Sequence, residues 1–389
     1  MIASSTTPSS SKPPIIALFT YGGGIRGLIP ANFMQRLEET TGLYMSDMFD
    51  VFTGPSTGSI LNTAINIPHP YDPTKPKFKA RHMVRFYERE GPQIFPADAF
   101  RSFRSLIHDF NNRTLQISQL NRLVKHGHYE HANLGRALRS LFGRTQLSES
   151  LKSLIVPVYN IRGHEGKEVG QPLTREGGHA VWLKNIKFDD NALLMPPADV
   201  SMFDAVMGST AAPTYFPCHH FQLGTPLDEN SNLIDVDAID GSVFDNPCTT
   251  YYGALRDHIP ADRDLILVII GTGYCNRSYR KDDWDRFGSL GVVDPKHDMP
   301  LINIFFHSPE TALHDTFYRD MYRHLFTFNK SMTTGAFMSD FPSSDIDDAS
   351  PENLRRLKNF FEMMLAENRK QFLDLCELLV SNYECKKSL

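Results

Sequence analysis

Ile15-Ile16-Ala17-Leu18-Phe19-Thr20-Tyr21-Gly22-Gly23-Gly24-Ile25-Arg26-Gly27 is the stretch whose reading decides the fold. Ile15 to Thr20 predicts a short buried strand, a glycine turn follows Tyr21, and Leu28 to Thr40 carries helical spacing. The same order returns directly. An apolar segment, Met48 to Thr53, runs into Gly54-Pro55-Ser56-Thr57-Gly58, and Ser59 to Ile67 has helical character until Pro68 and Pro70 stop it. Two successive strand-turn-helix units are what an α/β architecture is made of.

Outward from that pair, Pro68 to Lys79 reads as an exposed connection and Ala80 to Glu90 as a charged amphipathic helix. Leu154 to Asn160 and Ala180 to Phe188 are expected strands, and Val200 to Met207 an expected helix that ends at the small residues Gly208 to Ala212. Leu233 to Ile239 predicts a strand delivering Asp240-Gly241, and Asp264 to Ile270 one that ends in Gly271-Thr272-Gly273. From Pro351 to about Tyr383, Leu354, Leu357, Phe361, Met364, Leu365, Phe372, Leu375 and Leu379 recur at helical spacing. The expected fold class is therefore α/β: a mostly parallel central sheet flanked by helices, with a C-terminal helical segment.

Length permits one extended domain or two smaller ones, since 389 residues can bury a large core. A formal charge of -5 with Lys and Arg spread along the chain argues against a nucleic-acid surface, which needs a basic patch. The five cysteines, Cys218, Cys248, Cys275, Cys376 and Cys385, form no CxxC pair and are odd in number, so reduced thiols in a cytosol-like compartment are expected. Met1 to Pro14 is rich in Ser, Thr and Pro and reads as a disordered leader rather than a cleaved export signal. No run of about 18 apolar residues is present, so any membrane contact would be peripheral.

Gly54 to Gly58 is a G-x-S-x-G pattern, in which flanking glycines allow the sharp strand-to-helix turn that exposes a serine hydroxyl. Average composition alone would produce that pattern about 0.1 times in such a chain, so its position between a strand and a helix carries the weight. Gly22-Gly23-Gly24-Ile25-Arg26-Gly27 is rarer, on the order of 10⁻³ per chain, and is the sharper clue. Glycines before a helix let backbone N–H groups converge on a developing oxyanion. The same residues satisfy Gly22-x-Gly24-x-x-Gly27, the dinucleotide fingerprint, so an oxidoreductase stands as an alternative, with Asp47 at about the distance of a ribose-binding acid.

Asp240, at the end of an expected strand, would emerge where a base for Ser56 could stand. A triad in hydrolase order would instead draw on His258, His307, His314 or His324, and no sequence context singles one out. His126, His128 and His131 read as a charged loop rather than a zinc site, His219-His220 as a partly buried pair or a pocket wall, and Asp345, Asp347 and Asp348 as a solvated turn. No metal is expected.

Taken together, these motifs resemble those of the patatin-like phospholipases, specifically the bacterial members with a C-terminal helical segment. Gly22 to Gly27 is similar to the family's glycine-rich oxyanion loop, Gly54 to Gly58 to its nucleophile elbow, and Asp240-Gly241 to the acid of its Ser-Asp dyad. Ser209 to Pro217, Asp245-Asn246-Pro247, Gly271-Thr272-Gly273 and Asp347 to Ser350 extend the likeness over roughly Ile15 to Leu379. The resemblance implies a single catalytic domain over 15–389 after a leader at 1–14, and an enzyme that releases fatty acids from glycerophospholipid or another acyl lipid without a cofactor.

It also implies roles for particular residues: Ser56 as nucleophile, Asp240 as base, Gly22, Gly23, Gly24 and Arg26 around the oxyanion, and Thr57, Thr214, Tyr215 and Phe216 against the substrate. Tyr21, Pro55, Ser59 and Ser242 stand where the family usually carries other residues, and Pro55 either stiffens the elbow or misplaces Ser56. A catalytically weak patatin-like interaction protein is thus a further alternative. A cytoplasmic location, peripheral to membrane, is expected, with signal-independent export into a host cell as the other possibility.

Overall fold

An uninterrupted apolar run along one strand sets up the whole architecture. In the computed structural model, which describes residues 12–96, 129, 131–162, 177–188, 200–213, 215–224, 234–274, 280–282, 284–286, 314–332 and 341–388, strand β1 (Ile15–Thr20) is buried at every position. Ile16 and Leu18 join the apolar cluster on one face of the sheet, and Ile15, Ala17 and Phe19 the cluster on the other. A strand that is apolar on both faces belongs in the middle of a sheet covered on both sides.

Its neighbours are β2 (Val51–Thr53) and β9 (Leu265–Ile270), both parallel to it, with Ala17 opposite Val51 and Leu267. β10 (Leu325–Phe328) extends the parallel set beyond β9, and β5 (Ser153–Asn160) extends it beyond β2. From β5 the sheet turns antiparallel, through β6 (His179–Asn185), β8 (Ile234–Asp240) and β7 (His219–Leu223). The order is β10-β9-β1-β2-β5-β8-β7, with β6 also paired to β5. The expected α/β class, mostly parallel and flanked by helices, is what the chain adopts.

One register in this sheet determines where chemistry can occur. β6 lies along Leu154–Asn160 of β5, so β2, which pairs with Ser153 to Ile155, and β8, which pairs with Val158 to Asn160, both lie on the opposite edge. β2 runs parallel to β5 and β8 runs against it. Their carboxyl ends, Thr53 and Asp240, therefore face each other across a short interval of the same edge.

Helices α1 (Leu28–Thr41), α2 (Met45–Met48), α3 (Thr57–Ala64), α4 (Ala80–Ile94), α5 (His131–Phe142), α6 (Met202–Ser209), α7 (Pro247–Thr250), α8 (Pro351–Glu367) and α9 (Arg369–Lys387) complete the described elements used below. Several expectations need correction. The segment expected as a strand from Met48 is helical until Met48, because Asp47 accepts the Tyr44 N–H and caps the turn; the strand begins at Val51. The connection after Pro68 contains a small hairpin, β3 (Pro68–His69) and β4 (Asp72–Pro76). The long terminal helix is two helices that break at Asn368, which ends α8 with φ −106° and ψ 20° and starts α9. The expected leader lies outside the described residues up to residue 11, while the Pro13 carbonyl accepts a hydrogen bond from Arg263 at 2.9 Å.

The C-terminal stripe packs on the sheet-covering helices. Phe33 of α1 meets Phe361 of α8 edge-on at 6.5 Å, Phe372 of α9 at 5.5 Å and Phe328 of β10 at 4.5 Å. Lys386 near the end of α9 holds Asp50 at 2.6 Å, and Asp50 in turn accepts the Ile16 N–H, so the last helix is tied to the start of β1. Among the described residues no helix is long and apolar enough to cross a membrane. Phe361→Ala removes a ring that is 2% exposed, so it is expected to cost about 3–5 kcal/mol in urea unfolding; a loss under about 1 kcal/mol would show that α8 does not belong to the core.

Candidate active site

β2 ends on Thr53, and the chain must turn within three residues to start α3. Ser56 takes φ 52° and ψ −125°, and it is the non-glycine residue with positive φ among those described. That backbone conformation costs of order 1–3 kcal/mol in a residue with a Cβ and turns the side chain out at the top of the sheet. Gly54 and Gly58 make the turn possible, because a Cβ on either would stand 2.0 Å from the Thr20 carbonyl at the end of β1. Pro55 does not displace the serine: its carbonyl accepts the Gly58 N–H at 2.8 Å, and the Ser56 N–H donates to the Ser209 carbonyl at 3.1 Å. Ser59, another departure from the family pattern, donates its hydroxyl to the Ser56 carbonyl at 2.6 Å.

Asp240 reaches the same place from the other strand. Its N–H donates to the Ala211 carbonyl at 3.0 Å, so the small residues around the end of α6 touch both partners, Ser209 at Ser56 and Ala211 at Asp240. Asp240 is 2% exposed, and its carboxylate accepts a hydrogen bond from the Ser242 N–H at 2.8 Å, with the side chains of Ser56 and Ser242 beside it. Burial pushes its carboxyl up to about 6, and these polar neighbours restrain the rise.

The glycine loop is held by its carbonyls. The Gly22 carbonyl accepts from the Thr272 hydroxyl at 2.8 Å, the Gly23 carbonyl from the Arg26 N–H at 3.1 Å, and the Gly24 carbonyl from the Thr57 hydroxyl at 2.6 Å. In a planar trans peptide the next N–H points the opposite way. The Ile25 N–H is taken by the Ile346 carbonyl at 2.8 Å, whereas the Gly23 and Gly24 amides meet no acceptor among the described residues. Gly24 has φ +55°, and a Cβ there would lie 2.1 Å from the Ile346 carbonyl. A Cβ on Gly22 would lie 3.0 Å from the Ser56 Cβ, so the loop is directly against the elbow.

The remaining expected residues divide. Thr57 is buried between Gly24 and Tyr87, whose hydroxyl is 3.1 Å from its own. Tyr215 and Phe216 lie in an aromatic group with Tyr129 and Phe95, while Thr214 lies outside the described residues. Arg26 turns its guanidinium to the Met332 sulfur, 3.6 Å away. Of the candidate histidines, His307, His126 and His128 lie outside the described residues. His258 is 3.1 Å from Lys184, His314 is 3.3 Å from Asp315, and His324 precedes β10 at the amino end of the parallel strands, opposite the elbow.

His131 opens α5 rather than lying in a charged loop, and burial lowers its imidazole. His219 pairs with Asp204 at 2.9 Å and His220 with Asp237 at 2.8 Å. The solvated turn expected at Asp345, Asp347 and Asp348 is corrected: Asp347 is 5% exposed and accepts the Tyr129 hydroxyl at 2.8 Å. Burial raises its carboxyl to about 6.

Several positioning groups escaped the sequence reading. Asn62 donates to the Thr53 carbonyl at 2.6 Å and sits 3.1 Å from the Thr20 hydroxyl, joining the ends of β1 and β2 beneath the elbow. A polar residue at an apolar helix position was the available signal. Strain at residue 56 has a measurable consequence. Ser56→Gly and Ser56→Ala both remove the hydroxyl, but only glycine relieves the positive φ, so the glycine variant is expected to be the more stable by about 1 kcal/mol in denaturant unfolding. The ordinary order, alanine above glycine, would show that the elbow is unstrained.

Comparison with known proteins finds patatin-like relatives. "Patatin-like protein 1" of Arabidopsis thaliana is 25% identical over 93% of this chain and 85% of its own length. "Patatin-like protein 2" of Oryza sativa subsp. indica is 26% identical over 94% and 89%, and the "Probable inactive patatin-3-Kuras 1" of Solanum tuberosum is 23% identical over 95% and 91%. VipD from Legionella pneumophila aligns in structure over 91% of this chain and 68% of its own, at a TM-score of 0.31 and 11% identity. The patatin family, described as patatin-like phospholipase, matches residues 19–251, from within β1 to just past α7. That interval takes in the glycine loop, the elbow and Asp240 and is more than half of the chain, which therefore belongs to the patatin-like phospholipase family.

Proposed function

We propose that this protein is a serine lipid acyl hydrolase that releases fatty acids from glycerophospholipids through a Ser56–Asp240 dyad. One observation carries the reading: Ser56, presented on a strained turn, stands beside the buried carboxylate of Asp240 and favours its charged form. Ser56 Oγ attacks the acyl carbonyl while its proton passes to Asp240, and the amides of Gly23 and Gly24 receive the oxyanion. Collapse of the tetrahedral intermediate expels the alcohol oxygen of the lysolipid, which takes the proton from Asp240. Water then attacks the acyl-serine, gives its proton to Asp240 and frees the fatty acid, and the proton returns to Ser56.

A carboxylate at about 6 suits this work, being ionised at neutral pH yet a better proton acceptor than an exposed aspartate. Tyr215 and Phe216, beyond the Ser209 to Ala212 segment, are suited to line the acyl chain's path, and Arg26 to orient the loop or attract a phosphate headgroup. The dinucleotide alternative loses support because the elbow occupies the space in front of Gly22. Lipid is met at a membrane surface by peripheral contact.

Fatty-acid release from phospholipid mixed micelles tests the reading. Ser56→Ala and Asp240→Asn are each expected to lower kcat/KM by at least about 10³-fold with circular dichroism unchanged. Wild-type turnover in folded Ser56→Ala would refute the nucleophile, and wild-type turnover in Asp240→Asn the dyad.

The pH profile supplies an independent check. Because the base is competent only when ionised and its carboxyl is raised, kcat/KM should be level above about pH 7 and fall about tenfold per pH unit below about 6. An acid limb near pH 4 would show an exposed, unperturbed carboxylate in its place.

A further inference from the structure

The β9–β1 ladder stops being backbone-to-backbone at the glycine loop. Thr20 pairs with Ile270, and the Tyr21 N–H still reaches the Ile270 carbonyl at 3.0 Å. The Gly271 N–H, in the regular alternation of a central strand, bonds the other neighbour at the Phe328 carbonyl, 2.8 Å away. The Thr272 hydroxyl then serves the loop in place of a backbone donor, reaching the Gly22 carbonyl at 2.8 Å. Thr272 is 3% exposed, and its Oγ1 would lie 2.6 Å from a Cβ on Gly23, so its side chain lies against the same peptide that it hydrogen-bonds.

The two amides that find no acceptor among the described residues are held differently. The Gly24 N–H belongs to the peptide whose carbonyl accepts from Arg26 inside the local turn, so the chain orients it without outside help. The Gly23 N–H belongs to the Gly22–Gly23 peptide, whose carbonyl is gripped by Thr272 from a different strand. A peptide between two glycines meets little steric resistance to rotation, because neither neighbour has a Cβ. Among the described residues no other donor reaches the Gly22 carbonyl, so without the hydroxyl this peptide loses the bond that fixes its orientation.

We propose that Thr272, which lies beyond the 19–251 family match, is a positioning residue that aims the Gly23 amide at the oxyanion. This rests on the acyl-hydrolase reading above. An amide aimed at a charge that develops during reaction acts on kcat rather than on substrate capture. Thr272→Val keeps the branched shape and removes the hydroxyl; Thr272→Ser keeps the hydroxyl.

In the full-length protein assayed on phospholipid micelles, Thr272→Val is expected to lower kcat about 10- to 100-fold with KM within about twofold. Labelling of Ser56 by a fluorophosphonate should slow in proportion, and the acid limb near pH 6 should stay in place because Asp240 is untouched. Thr272→Ser should recover to within about threefold of wild type. Thr272→Ala serves as the hydroxyl-free comparison to Thr272→Ser if the valine variant does not fold. Hydroxyl-free variants that keep wild-type kcat, or a loss confined to KM, overturn the proposal, as does a serine variant no better than valine. With wild type active, those results strike the positioning role alone; a folded wild type that neither turns over lipid nor labels at Ser56 overturns the acyl-hydrolase reading and this inference together.

Discussion

Two strands share one edge of Ser153–Asn160 and meet end to end, and the rest of the site depends on that arrangement. A parallel strand that ends at Thr53 and an antiparallel one that ends at Asp240 leave their carboxyl termini facing across the interval between Ile155 and Val158. Hydrogen bonding of both to a third strand makes the approach of Ser56 and Asp240 a matter of sheet register rather than loop conformation. Because the meeting point lies within a covered sheet, the carboxylate is buried, and burial raises its proton affinity. Proximity and basicity thus have one structural cause.

Preorganisation around that point comes from small residues and buried polar side chains. Gly54 and Gly58 let the elbow press on the Thr20 carbonyl, and Asn62 ties the ends of β1 and β2 below it. Ser209 and Ala211 hold the backbones of Ser56 and Asp240 from a single segment. These contacts sustain a backbone conformation at Ser56 that an isolated chain would avoid. Such rigidity favours chemistry in which charge develops at a fixed place.

The chain beyond the family match contributes to the same site. Ile346 occupies the Ile25 N–H, and the neighbouring Asp347 is joined to Tyr129, which stands among the aromatic side chains Tyr215 and Phe216. Tyr129 also donates its backbone N–H to the Tyr215 carbonyl, at 2.8 Å. The glycine loop and the aromatic wall are consequently connected through residues from well-separated parts of the sequence. The C-terminal helices pack against α1, which begins where that loop ends.

Local patterns were legible in the amino-acid sequence because they depend on neighbours along the chain. β1 and β9 could be read from uninterrupted apolar runs, the elbow from glycines flanking Ser56, and the acid from its place at a strand end. The break at Asn368, the turn of helix before Val51 and the hairpin after Pro68 were not, since each depends on a few local hydrogen bonds that hydrophobic spacing does not register. Asp345, Asp347 and Asp348 look like a surface turn in sequence, and only packing against Tyr129 buries the middle one. The sequence by itself determined the fold class and which residues carry reactive groups. Tertiary structure decided that, among the described residues, Asp240 rather than a histidine faces Ser56, and which amides of the glycine loop stay unoccupied, because both outcomes follow from pairings between strands far apart in the chain.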